Sequence, residues 1–109
     1  MRIYQLVQGD QAPQIQAVLT RDDDDSVIDF SGGSCALKFR AKDTTTVLFT
    51  LAAADVGDKF QNGIAIFSFS GTQLDIDAGY YEGEIEITHA SGTIETVFAV
   101  LNFYLRADF

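Results

Sequence analysis

Apolar and polar side chains alternate along most of the chain with a period of two. Residues 80–88 show it most cleanly: Tyr81, Gly83, Ile85 and Ile87 fall on one side, and Tyr80, Glu82, Glu84, Glu86 and Thr88 on the other. An apolar face backed by a face of carboxylates predicts a half-buried antiparallel strand. Residues 34–41 repeat the device with the opposite charge, Cys35, Leu37, Phe39 and Ala41 facing one way and Ser34, Lys38 and Arg40 the other. Further strands are predicted at residues 2–8, 14–20, 27–30, 46–51, 63–69 and 94–105. Turn signals separate them: Gly9-Asp10, Asp22 to Asp25, Gly32-Gly33, Lys42-Asp43, Asn62-Gly63, Asp77-Ala78-Gly79 and Ser91-Gly92. That spacing predicts an all-β sandwich of seven to eight strands in a single domain over residues 1–109. Helical turns are expected only around residues 51–55 and 72–76.

Two segments depart from simple alternation. In residues 63–69, Ile64 and Ile66 point one way while Phe67 and Phe69 point the other; in residues 94–105, Phe98, Val100 and Tyr104 are apolar on the face opposite Val97, Ala99, Leu101, Phe103 and Leu105. A β-bulge that flips the register midway would turn both halves of such a strand to the core. A partner covering part of the outer face would equally account for them, because large exposed apolar patches mark interfaces. Phe67, Phe69, Phe98, Val100, Tyr104 and the terminal Phe109 are the candidate interface residues on this reading.

The stretch Asp77-Ala78-Gly79-Tyr80-Tyr81-Glu82-Gly83 resembles the tyrosine corner of immunoglobulin-like domains, with Tyr81 as the corner residue and Gly83 where the second core cysteine would stand. Such a corner pins the crossing between sheets through a bond from the phenol to the backbone upstream. Asp77, Gly79 and Tyr81 are therefore assigned a structural role, and the fold is expected to be an immunoglobulin-like antiparallel β-sandwich. The same topology places residues 34–41 beside residues 80–88, so Lys38 and Arg40 should face the glutamates of the neighbouring strand.

Composition narrows the function classes. Apolar residues make up 47 % of 109 residues, enough for a core and more than a disordered chain shows. The net charge of −9 argues against nucleic acid, whose phosphates require lysine and arginine in number. No apolar run is long enough for a signal peptide or a membrane span. One cysteine, Cys35, and one histidine, His89, exclude a disulfide framework and cysteine-histidine zinc sites. They also leave almost no catalytic combination, so the chain is read as not an enzyme, with no cofactor and no metal. Cys35 alternates with Leu37 and Phe39 as a small buried apolar residue, and His89 is placed on an exposed loop. The run Asp22 to Asp25 lacks the glycine and glutamate of a calcium loop and is read as a solvated hairpin tip that discourages edge pairing.

In their order along the chain, these motifs resemble the N-terminal domain of the upper baseplate protein family of tailed bacteriophages. The matching elements are Gly9-Asp10, Ile15 to Leu19, Asp22 to Asp25, Ile28-Asp29-Phe30-Ser31-Gly32, Leu37 to Arg40, Gly63-Ile64, Gly79 to Ile85 and Ser91-Gly92-Thr93. One departure is the absence of a proline after the last hairpin, where Thr96-Val97-Phe98 runs on. The resemblance implies a non-catalytic structural or assembly subunit of a phage virion in the tail, baseplate or head surface, made in the host cytoplasm. Its partners would be other virion structural proteins, in a homo-oligomer or in many copies per particle. A one-domain version would serve as an adaptor, plug or decorating subunit. The alternative class is a carbohydrate-binding or adhesion module. The chain has no tryptophan for a sugar platform, but Tyr80 and Tyr104 would point outward and could stack on one.

Overall fold

The computed structural model describes residues 3–21, 24–55, 57–97 and 100–108. Strands β1 (Ile3–Val7), β2 (Gln14–Val18), β3 (Ser34–Ala41), β4 (Val47–Ala52), β5 (Ile64–Ser68), β6 (Gly79–Thr88), β7 (Ile94–Thr96) and β8 (Leu101–Arg106) form two sheets in a sandwich. The larger sheet has the order β1-β8-β6-β3-β4, with β7 also paired to β6; the smaller consists of β2 and β5. All pairings are antiparallel except that of β1 with β8.

Alternation places the core between the sheets. Cys35, Leu37 and Phe39 of β3, Tyr81, Ile85 and Ile87 of β6, and Phe103 and Leu105 of β8 are buried against Ile15, Ala65, Phe67 and Phe69 of the small sheet. Phe39 lies at the centre, with ring centroids 4.6 Å from Phe49, 5.0 Å from Phe103 and 5.2 Å from Tyr81. Gly83 is what lets β6 lie so close: a Cβ there would come within 2.7 Å of Leu37 Cδ1 and 2.9 Å of the Phe103 ring. At Gly63, φ is +71°, and an added Cβ would lie 2.9 Å from the Leu19 carbonyl oxygen, so the entry to β5 needs glycine for both conformation and space.

Several expectations change. Phe67 and Phe69 are wholly buried, so neither can belong to an exposed interface. The β2–β5 register runs without a shift from Gln14–Ser68 to Val18–Ile64, so β5 contains no bulge. Its outward residues Ile64 and Ile66 remain half-buried on the far side of the small sheet. The strand expected over 94–105 is divided. From Val97, bonded to Ile85, to Leu101, opposite Gly83, the chain takes four steps while β6 takes two. An even surplus keeps the odd-numbered residues inward on both halves, so the irregularity does not flip the register.

Residues 27–30 form only an isolated bridge, Val27 to Thr20, because the backbone of Ile28 bonds to Leu19 and that of Phe30 to Phe60, two partners that do not make one ladder. The alanines at 51–55 do not start a helix. Leu51 and Ala52 pair with β3, and the Ala53 N–H bonds to the Cys35 carbonyl, so sheet pairing overrides local propensity. Around 72–76 a single turn, Asp75 N–H to Thr72 carbonyl, anchors the buried Leu74.

Candidate functional site

The corner expected at Asp77, Gly79 and Tyr81 is assembled where β6 begins. The Tyr81 hydroxyl donates to the backbone carbonyl of Asp77, four residues upstream. The Tyr81 ring stacks on Phe39 with planes 21° apart. Burial pushes the phenol pKa above its ordinary value, and the nearby Asp77 charge adds to the effect. This is a structural fixture: its donor is already engaged by the backbone.

On the outer face of the large sheet, Arg40 stands opposite Glu82 and Lys38 opposite Glu84. Arg40 bonds to Glu82 at 3.4 Å, and Lys38 reaches diagonally to Glu86 at 3.0 Å. These pairs fix register more than they stabilise. Further along the same face, Tyr80 and Tyr104 lie side by side, centroids 4.9 Å apart and planes tilted 45°, with Lys42 Nζ 5.9 Å from the Tyr80 ring centre. Tyr80 is 57 % exposed, whereas Tyr104 is half-buried. The tilt makes a notch instead of a flat platform.

A third feature has no counterpart in the sequence pattern: a groove of about 560 Å³ between the two sheets on the side of β2 and β7. Its apolar walls include Ala17, Leu19, Ile28, Ile85, Val97 and Leu101. At one end Arg21, just after β2, donates to Glu95 of β7 at 2.8 Å, and His89 Nε2 lies 2.9 Å from the other Glu95 oxygen. The ion pair thus spans the sheets across the groove. The His89 hydrogen bond is the main cause holding the Glu95 carboxyl below its ordinary pKa, with the Arg21 charge contributing. His89 is half-buried and bonded, not an exposed loop residue. Arg21 and Glu95 are 74 residues apart, so only the tertiary fold brings them together.

Of the other singled-out residues, Cys35 is buried, and burial pushes its thiol up to about 12, which keeps it from acting as a thiolate. Val100 is 38 % exposed, while Phe98 and Phe109 lie outside the described residues. Asp24 and Asp25 sit on the exposed tip of a hairpin closed by the Thr20–Val27 bridge, the Arg21 N–H bonding to the Ser26 carbonyl; Asp22 and Asp23 lie outside the described residues. Among the described residues no three His, Cys, Asp or Glu side chains gather as a metal site.

No protein-family model and no curated protein matches the chain. Solved structures do. The N-terminal domain of phage TP901-1 ORF48 superimposes with a TM-score of 0.63 over 99 % of this chain and 86 % of that one, at 14 % identity. The likeness is one of fold. CopC from Methylosinus trichosporium OB3b shares the arrangement less closely, with a TM-score of 0.53 over 98 % of this chain and 86 % of its own, at 10 % identity. ORF48 and CopC thus resemble this chain in architecture, and a sandwich found in both does not select a function by itself.

Proposed function

We propose that the chain is a non-catalytic structural subunit of a tailed-phage particle, present in many copies in the tail, baseplate or head surface and docked on other virion proteins. The observation that carries this reading is the superposition with the phage ORF48 domain, which takes in nearly the whole chain and most of that domain. The distribution of apolar surface supports it. Val18 is 59 % exposed, and its cross-strand partner Ile64 and the nearby Ile66 give the small sheet an apolar outer face that a neighbouring subunit would cover. Particles induced from a strain carrying the gene and banded by density should contain the chain in a fixed molar ratio to the major tail or capsid protein. A chain left wholly in the soluble fraction overturns the proposal.

The notch of Tyr80 and Tyr104 favours a second reading, a carbohydrate-binding or adhesion module. Binding on a glycan array that disappears in Tyr80→Ala would support it, and an array without signal would remove it.

A further inference from the structure

The small sheet leaves one edge of β2 open. Leu19 N–H bonds to the Gly63 carbonyl at 2.7 Å and Phe69 N–H to the Pro13 carbonyl at 3.0 Å, so the odd-numbered residues along β2 bond to β5. By the alternation of an antiparallel ladder, the N–H and C=O groups of Gln14, Gln16 and Val18 point to the opposite side. That side has no neighbouring strand among those described. Across the groove β7 is in the same condition: His89 N–H bonds to the Thr93 carbonyl and Val97 N–H to the Ile85 carbonyl, which leaves Ile94 and Thr96 with their backbone groups turned away from β6. The floor between these two edges is core surface, and the wall on the β2 side carries the large apolar side chain of Val18, 59 % exposed. Between Pro13 and the aspartate tip, the exposed edge of β2 itself is unguarded, since Gln14–Val18 contains no charge and no proline.

We propose that this groove takes an extended segment of a partner protein, which pairs antiparallel with β2 as an added strand. Its alternate apolar side chains would descend towards Leu19, Ile28 and Ile85. An open backbone edge on β2 beside an apolar floor suits a strand better than a small apolar ligand, which would cover the floor and make no use of the edge amides. Charge specifies the segment further. Arg21 is already paired with Glu95, and around that end Asp25 and Asp29 are exposed, so the local surplus is negative. Since β2 runs towards Arg21, the N-terminal end of an antiparallel partner strand lies there, and that end should carry lysine or arginine. The inference goes beyond the proposed virion role and stands without it: the composition of particles tests the one, backbone protection in the purified protein tests the other.

The probe is the synthetic peptide Lys-Lys-Val-Thr-Val-Thr-Val, with amide hydrogen exchange of the whole chain as the readout. In the free protein Ile15, Ala17 and Leu19 should be protected, and Gln16 and Val18 should exchange quickly. Saturating peptide should slow exchange at Gln16 and Val18 on the order of tenfold or more. The same peptide N-methylated at alternate residues on the pairing edge should give no such slowing; this control leaves the protein untouched. Val18→Pro removes an edge N–H that the β2–β5 ladder does not use and should abolish the effect while retaining the fold. Absence of protection, equal protection by the methylated peptide, or binding of the apolar dye ANS in the groove with Gln16 and Val18 still unprotected when the peptide is added would each overturn the proposal.

Discussion

Gly83 lies between Leu37 and Phe103 with no room for a methyl group, and the contact with the Phe103 ring cannot be relieved by a simple rotamer change. Gly83→Ala should destabilise the domain by about 1–3 kcal/mol, the usual cost of overpacking a core, read as a lower urea midpoint with an unchanged slope. Two positions earlier the effect comes from a lost bond. Tyr81→Phe keeps the ring on Phe39 and removes only the hydroxyl that holds the Asp77 carbonyl, so a loss of about 1 kcal/mol is expected in the same measurement. Tyr81 could be found from the sequence because a tyrosine corner is a local pattern, with donor and acceptor four residues apart, whereas the crowding at Gly83 comes from Leu37 and Phe103, far away in the chain.

Strands were legible where alternation was strict and hard to read where it was not. Residues 34–41 and 80–88 are legible as strands from their strict alternation, and their adjacency follows from the immunoglobulin-like resemblance, with the opposite charges on their outer faces in agreement. Phe67 and Phe69 misled because Ile64 and Ile66 are apolar on the opposite face, and a pattern apolar on both sides does not say which side is the core. The irregularity between Val97 and Leu101 can be probed by length. Inserting one residue there would turn β8 over, bringing Asn102, Tyr104 and Arg106 inward and exposing Phe103 and Leu105, whereas inserting two would preserve the facing. Circular dichroism and a melting curve should show a folded two-residue variant and an unfolded one-residue variant. The tie between β2 and β7 gives a pH signature. Because folding depresses the Glu95 pKa, its contribution is present above the unfolded value and is lost as pH falls through the folded one. Glu95→Gln should therefore lower stability at neutral pH, by no more than about 1 kcal/mol for so exposed a pair, and the gap to the unaltered protein should close in acid. Thermal melts across the acid range would check it. Neither this tie nor the groove beneath it has a local sequence signal, since each is built from segments far apart in the chain.

At the scale of the molecule, a net charge of −9 on 109 residues acts against compactness everywhere at once. The few outer-face ion pairs are each worth little, so screening should relieve more repulsion than it removes attraction. The melting temperature is expected to rise between about 0.01 M and about 0.15 M sodium chloride; a fall would show that the pairs dominate. The sandwich is also unequal, with a two-stranded sheet lying on a six-stranded one. Two strands alone are marginal in water, so β2 and β5 stay in place chiefly because Ile15, Ala65, Phe67 and Phe69 are covered by the larger sheet. Among the openings of the folded state, the one that lifts the thin layer away as a unit is therefore the least costly. Such an opening would present Phe67, Phe69 and the uncovered Phe39 together to the surrounding water, a transient adhesive face on an otherwise strongly charged protein.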